Sequence, residues 1–141
     1  MKRKAEAVWH GSGKEGQGAL TTGSDVLKGQ AYSWRTRFAE GKGTNPEELI
    51  AAAHAGCFSM ALAFALSGAG HEAEEIRTGA TVSLDQQDGG FAITSIHLDL
   101  EARIPGIDER EFLKLAQDAK EGCPVSKLFK APISLDAKLT S

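Results

Sequence analysis

Residues 49–66 read LIAAAHAGCFSMALAFAL, 18 positions without a formal charge. A run of this length is near the shortest that crosses a bilayer, but Ala, Gly, Ser and His dilute its hydrophobicity and no basic flank accompanies it. It is therefore expected as the core helix of a globular protein, apolar all round and buried on every side. Just upstream, Gly41-Lys42-Gly43-Thr44-Asn45 reads as a loop. Asn45 can cap the helix, Pro46 suits its first position, and Glu48 stands where the N3 partner of a capping box belongs. The spacing predicts one helix over 46–67, stopped by Gly68 and Gly70.

Toward the N-terminus, residues 30–38 (QAYSWRTRF) alternate with period two, placing Arg35 and Arg37 on one face and Tyr32, Trp34 and Phe38 on the other. That pattern predicts a strand with two arginines on one side. Residues 3–9 and 19–22 flank the Gly-rich segment 11–18 (GSGKEGQG) and predict two more strands joined as a hairpin. Toward the C-terminus, 80–85 and 91–104 are β-patterned and meet around Asp88-Gly89-Gly90, which supplies the positive φ angles of a tight turn. An antiparallel pair is expected there. Pro105-Gly106 ends it, and Asp108 with Glu111 forms a second capping box, Ile107 and Phe112 standing at the staple positions. An amphipathic helix follows through Phe112, Leu115, Ala116 and Ala119 to Gly122. Cys123-Pro124 opens a short helical turn to about residue 129, and 133–139 alternates as a closing strand. This order predicts an α+β fold, antiparallel sheets packed around a long buried central helix, in a single domain spanning 1–141.

Composition narrows the functional classes. Apolar residues make up 41% of the 141 and charged residues 25%, which is globular usage and excludes a disordered, collagenous or low-complexity chain. Lys plus Arg number 16 against 19 Asp plus Glu, a formal net charge of -3. No dominant positive field exists to hold a polyanion, so nucleic acid is not an expected partner, and neither is a membrane. Lys2, Arg3 and Lys4 are not followed by the apolar run of an export signal, which predicts a cytoplasmic location. Two cysteines cannot build the dense disulfide framework of small secreted domains.

Those cysteines are the candidates for chemistry. Cys57 lies in the middle of the predicted helix, beyond the reach of the terminal dipole, and an apolar setting raises a thiol above its usual value of about 8.5. Attack on an electrophile would need a neighbouring cation; lowering a pKa by two units takes about 2.7 kcal/mol of preferential anion stabilisation. Arg35 and Arg37 are the nearest candidates in sequence. The plain alternative is a small buried hydrophobe. Cys123 precedes Pro124 in an N-cap-like position, where an exposed thiol would ionise easily; a simple capping role is the alternative. Their separation of 66 residues matches neither CxxC nor a zinc-ligand spacing, so only folding could bring them together. His54, three residues before Cys57, is a helical neighbour whose spacing is compatible with metal binding or a Cys-His pair, although a packed histidine is the simpler account. His10, His71 and His97 sit in no ligand spacing, and no metal or cofactor is expected. Glu47 falls at N2, where dipole stabilisation alone would explain it.

Four segments taken in order, Thr36-Arg37-Phe38, Gly43-Thr44-Asn45-Pro46-Glu47-Glu48-Leu49, Ala53-His54-Ala55-Gly56-Cys57-Phe58-Ser59-Met60 and Gly122-Cys123-Pro124-Val125-Ser126, resemble the OsmC/Ohr family of thiol peroxidases, and the Thr36-Arg37-Phe38 arginine with the residues around Cys57 is closer to its OsmC branch. The resemblance covers essentially the whole chain. It implies a peroxidatic Cys57, a resolving Cys123, Arg37 holding the thiolate and Glu47 orienting that arginine, on an intertwined homodimer without metal or prosthetic group. It implies organic hydroperoxides as substrates in preference to hydrogen peroxide, and an external dithiol as reductant, with a lipoylated protein suggested by related enzymes. Phe58, Met60 and Leu62 would offer an apolar lining for alkyl or fatty-acyl hydroperoxides.

One helix rises about 1.5 Å per residue, so Glu47 and Cys57 on an unbroken helix stand about 15 Å apart along it. The expectation is therefore that each site joins Cys57 of one subunit to Glu47, and with it Arg37, of the other, the small residues Ala51, Ala52, Ala53, Ala55 and Gly56 letting two helices approach. Two rivals remain open at this point. One is a non-catalytic stress protein that binds an apolar ligand and carries a redox-sensitive cysteine pair. The other is general thiol-disulfide exchange, disfavoured by the absence of CxxC.

Overall fold

Ten elements form along residues 1–141 of the computed structural model. They fall into two compact units, Met1–Leu49 and Ile50–Ser141, whose boundary lies inside one helix.

In the first unit β1 (Ala5–His10), β2 (Gln17–Thr22) and β3 (Gln30–Tyr32) form an antiparallel sheet in that order. The strand expected to continue to residue 38 stops at Tyr32. Ser33 instead caps a five-residue helix, α1 (Trp34–Phe38): its hydroxyl accepts from the Thr36 amide at 3.3 Å and the Thr36 hydroxyl accepts from the Ser33 amide at 2.8 Å. Two reciprocal local bonds outweigh the alternation, so Arg35 and Arg37 do not share a strand face. Gly43 then lays the loop against β3. Its φ is 133°, and a Cβ there would stand 2.6 Å from the Ala31 carbonyl oxygen, so only glycine fits. Asn45 accepts from the Glu48 amide at 2.8 Å and caps α2 (Pro46–Gly68), within a residue of the expected bounds. The box is not closed by Glu48, whose carboxylate accepts from the Thr44 hydroxyl at 2.8 Å.

In the second unit β4 (Glu75–Gln87) and β5 (Gly90–Arg103) form the expected hairpin, with Asp88 and Gly89 at φ 40° and 84°. Asp108 caps α3 (Glu109–Gly122), α4 (Pro124–Leu128) follows, and β6 (Ile133–Thr140) closes the sheet. β6 runs parallel to β5, correcting the all-antiparallel expectation. Alternation carries no direction; the helical crossover through α3 and α4 is what permits a parallel pair. The core lies between the sheet residues Leu98, Leu100 and Ala102, the α3 residues Phe112, Ala116 and Ala119, and the α2 residues Phe58, Leu62 and Leu66.

α2 is apolar all round but not buried all round. His54, Phe58, Leu62 and Leu66, four residues apart, form its buried stripe, whereas Met60 is 64% and Phe64 73% exposed. Ala52, Ala53 and Gly56 continue the exposed face, and a Cβ at Gly56 would meet nothing.

Candidate active site

In the second unit the chain brings its two thiols together. Cys57 projects from the middle of α2, and Cys123 stands at the junction of α3 and α4, its amide still donating to the Ala119 carbonyl of α3. The sulfurs are 2.7 Å apart, although both are free thiols. A disulfide bond of about 2.05 Å is within less than about 1 Å of movement. Cys123 is not the exposed thiol expected from sequence: it is fully buried at the junction of α3 and α4, and Cys57 is half-buried.

The two sulfurs differ in their neighbours. Burial, then the hydrogen bond with Cys123, pushes the Cys57 thiol up, against a smaller opposing bond at the Val125 backbone. No cation is among the groups that act on it. Burial also works against ionisation of Cys123, but the bond to Cys57, the Ser126 amide and hydroxyl and the Val125 amide outweigh it and bring that thiol down. Cys123 forms no side-chain cap hydrogen bond on α4. Within one chain, then, Cys123 is the thiol of the pair that ionises the more readily, and an ionised Cys57 needs a positive group from elsewhere.

Arg37 and Glu47 meet within the first unit. Arg37 Nε donates to Glu47 Oε1 at 3.0 Å and to Oε2 at 3.2 Å, and Nη2 donates to Oε1 at 2.6 Å. This is a planar two-pronged pairing that fixes the guanidinium plane. Glu47 is buried while the Arg37 side chain keeps 39% of its surface exposed, so one edge of the guanidinium stays available to a further anion. α1 and the Gly43 loop set this geometry, one presenting Arg37 and the other leading into α2, whose second residue is Glu47.

His54 is sealed in the core of the second unit beside Ser126. Its Nε2 lies 2.7 Å from Ser126 Oγ, and its ring lies against Phe129 at 5.2 Å between centroids. Nδ1 is buried without a partner. Burial lowers the pKa of the ring and keeps it neutral. The packed histidine that is the simpler account from sequence is what the structure shows; its partner Ser126 lies 72 residues away, and no local spacing announces that contact.

Phe58 and Leu62, expected to line a substrate site, point into the core instead; of the three residues named, Met60 alone is exposed. On the solvent face of the second sheet, His97 Nε2 lies 3.2 Å from both Asp99 Oδ1 and Asp136 Oδ2. Register explains this grouping, since Asp99 pairs with Asp136 and lies two residues beyond His97. These three side chains are the group whose donor atoms converge enough to hold a metal ion, all within 4.8 Å of one another, yet the carboxylates are exposed and the arrangement is also that of an ordinary surface ion pair.

A family model described as OsmC-like protein matches residues 39–138. Over 141 residues the chain is 53% identical to the peroxiredoxin OsmC of Escherichia coli, covering 100% of this chain and 99% of that one. It is 35% identical over 103 residues to the organic hydroperoxide resistance protein of Xanthomonas axonopodis pv. citri, 72% of this chain and 69% of its relative. Among solved structures, the organic hydroperoxide resistance protein OhrB of Bacillus subtilis aligns with a TM-score of 0.69 at 28% identity, covering 97% and 98% of the two chains. An OsmC-like protein from Mycoplasma pneumoniae reaches a TM-score of 0.79 at 16% identity, covering 100% and 99%, a likeness of fold.

Proposed function

The chain belongs to the OsmC-like family, and from that membership we propose that it is a thiol peroxidase that reduces organic hydroperoxides to alcohols through Cys57 and Cys123. The observation that carries this reading is the approach of two free sulfurs to 2.7 Å across 66 residues of sequence. In the first step the Cys57 thiolate attacks the distal peroxide oxygen: an S–O bond forms, the O–O bond breaks, and the departing alkoxide takes a proton to become the alcohol. Cys57 is left as a sulfenic acid. In the second step the Cys123 sulfur attacks Cys57; an S–S bond forms, the S–O bond breaks, and water leaves. An external dithiol then restores both thiols by exchange. A lipoylated protein is the proposed reductant, and no metal or prosthetic group takes part in these steps.

Arg37 supplies the charge that Cys57 lacks. Ten residues of continuous helix separate Glu47 from Cys57, about 15 Å along the axis, so the guanidinium that stabilises the thiolate and the developing alkoxide is the partner subunit's Arg37, held by the partner's Glu47. A homodimer in which the exposed stripe of α2 meets its copy supports such a site, and residues 1–141 act in it as one functional domain. The same stripe, with Met60 and Phe64, brings apolar surface to an alkyl chain, each buried CH2 contributing about 0.8 kcal/mol. Both α2 and the sheet against it carry satisfied polar groups, such as Ser59 bonded to Thr78 at 2.7 Å, which fits a soluble protein rather than a span.

The test is consumption of cumene or tert-butyl hydroperoxide by the reduced protein with excess dithiol. Wild type is expected to turn over, faster than with hydrogen peroxide. Cys57→Ser is expected to fall to the rate of dithiol alone, and Arg37→Ala to lose about a hundredfold. Unchanged turnover in Cys57→Ser would overturn the reading and favour an apolar-ligand carrier.

A further inference from the structure

We propose that His54 is a positioning residue for the second step, acting through Ser126 to hold the Cys123 sulfur ready for attack. The inference rests on the assignment of Cys123 as the resolving thiol. An imidazole with no surface exposure, on the helix stripe otherwise made of Phe58, Leu62 and Leu66, carries a desolvation cost that only its hydrogen bonds offset. His54 makes one, to Ser126 Oγ.

The direction of that bond follows from the atom left over. A neutral ring has one N–H. Placed on Nδ1, it would be a buried donor with no acceptor; placed on Nε2, it leaves only a bare lone pair on Nδ1, the smaller penalty. His54 therefore donates from Nε2 to Ser126 Oγ. Ser126 has a single hydroxyl proton, and with its oxygen already accepting from His54, that proton is left for another acceptor; Ser126 is the third residue of α4, whose N-cap is Cys123, and its hydroxyl is among the groups that bring the Cys123 thiol down. The order is His54 to Ser126 to the Cys123 sulfur. His54 takes up no proton: the one Cys123 loses leaves with the hydroxide expelled from Cys57, as water. The ring fixes the polarity of the chain of donors, and disulfide closure depends on the thiolate at its end.

The experiment is a single turnover of the reduced full-length protein with one equivalent of tert-butyl hydroperoxide, quenched over time with dimedone and an alkylating agent and read by mass spectrometry. In His54→Leu the sulfenic acid at Cys57 is expected to form at the wild-type rate, while closure of the Cys57-Cys123 bond slows by about tenfold, the loss of roughly one hydrogen bond, and the dimedone adduct accumulates. Ser126→Ala, a small change that leaves the helix stripe intact, is expected to show the same slowing, and the double variant no further loss. His54→Gln, whose amide can donate to the same hydroxyl, is expected to restore most of the rate. Closure at the wild-type rate in Ser126→Ala or His54→Leu, losses that multiply in the double variant, or no rescue by His54→Gln would overturn the inference while leaving the peroxidase intact. A wild type that forms neither sulfenic acid nor disulfide overturns both.

Discussion

His54 is a residue whose titration the fold feels. Its folded pKa lies below the ordinary value of about 6.5 because burial penalises the imidazolium. The unfolded chain binds a proton at this ring before the folded one does, so this contribution to stability is complete above about pH 6.5 and is lost as pH falls from there toward the folded pKa. Thermal melts between about pH 7 and pH 5 are expected to fall more steeply for wild type than for His54→Gln; parallel slopes would contradict the assignment. The same residue marks how far single positions were legible. Cys57, Cys123, Arg37 and Glu47 stood out because each sits in a dense local motif. Ser126 stands in the same motif as Cys123 but carried no role there, since its contact is with a partner 72 residues away, and the burial of Cys123 was hidden for the same reason: exposure belongs to the fold and not to the residues either side of a proline.

At the scale of elements, α2 was legible almost to the residue, since a cap, a proline and two closing glycines bracket it independently of what it packs on. The β4–β5 hairpin was legible from Asp88 and Gly89, where backbone angles available to few residues are required. Two elements were read wrongly for definable reasons. The segment after Tyr32 alternates like a strand, yet Ser33 and Thr36 satisfy each other's amides locally and turn the chain into α1. β6 alternates cleanly, but a period of two is the same in either direction, and the direction was set by the crossover. The extent of burial around α2 was also beyond sequence, because a uniformly apolar helix does not say which of its faces its own chain covers.

At the scale of the whole molecule, the proposed site takes the charge for its sulfur from a second copy of the chain. Met60 and Phe64 leave an apolar stripe on α2 uncovered by its own chain, and the activating Arg37 is assigned to the partner subunit. Complementation tests this directly. Homodimers of Cys57→Ser and of Arg37→Ala are each expected to be nearly inactive, while refolding the two together produces mixed dimers in which one site holds both Cys57 and Arg37. Activity of the mixture approaching a quarter of wild type per chain is expected, since about half the dimers would be mixed and each has one complete site. A mixture no more active than its parents would place the arginine and the cysteine in the same chain.

The meeting of Cys57 and Cys123 also has a thermal side. A covalent link between them would tie off a segment of 66 residues, and denying a denatured chain that much freedom is worth about 4 kcal/mol by loop-closure entropy. For a protein of this size that is a rise in melting temperature on the order of 10 °C, readable by calorimetry on oxidised and reduced samples. Heat resistance would then record the enzyme's recent history: a molecule that has just met an oxidant and waits for its reductant is the sturdier form, and being recharged makes it easier to unfold.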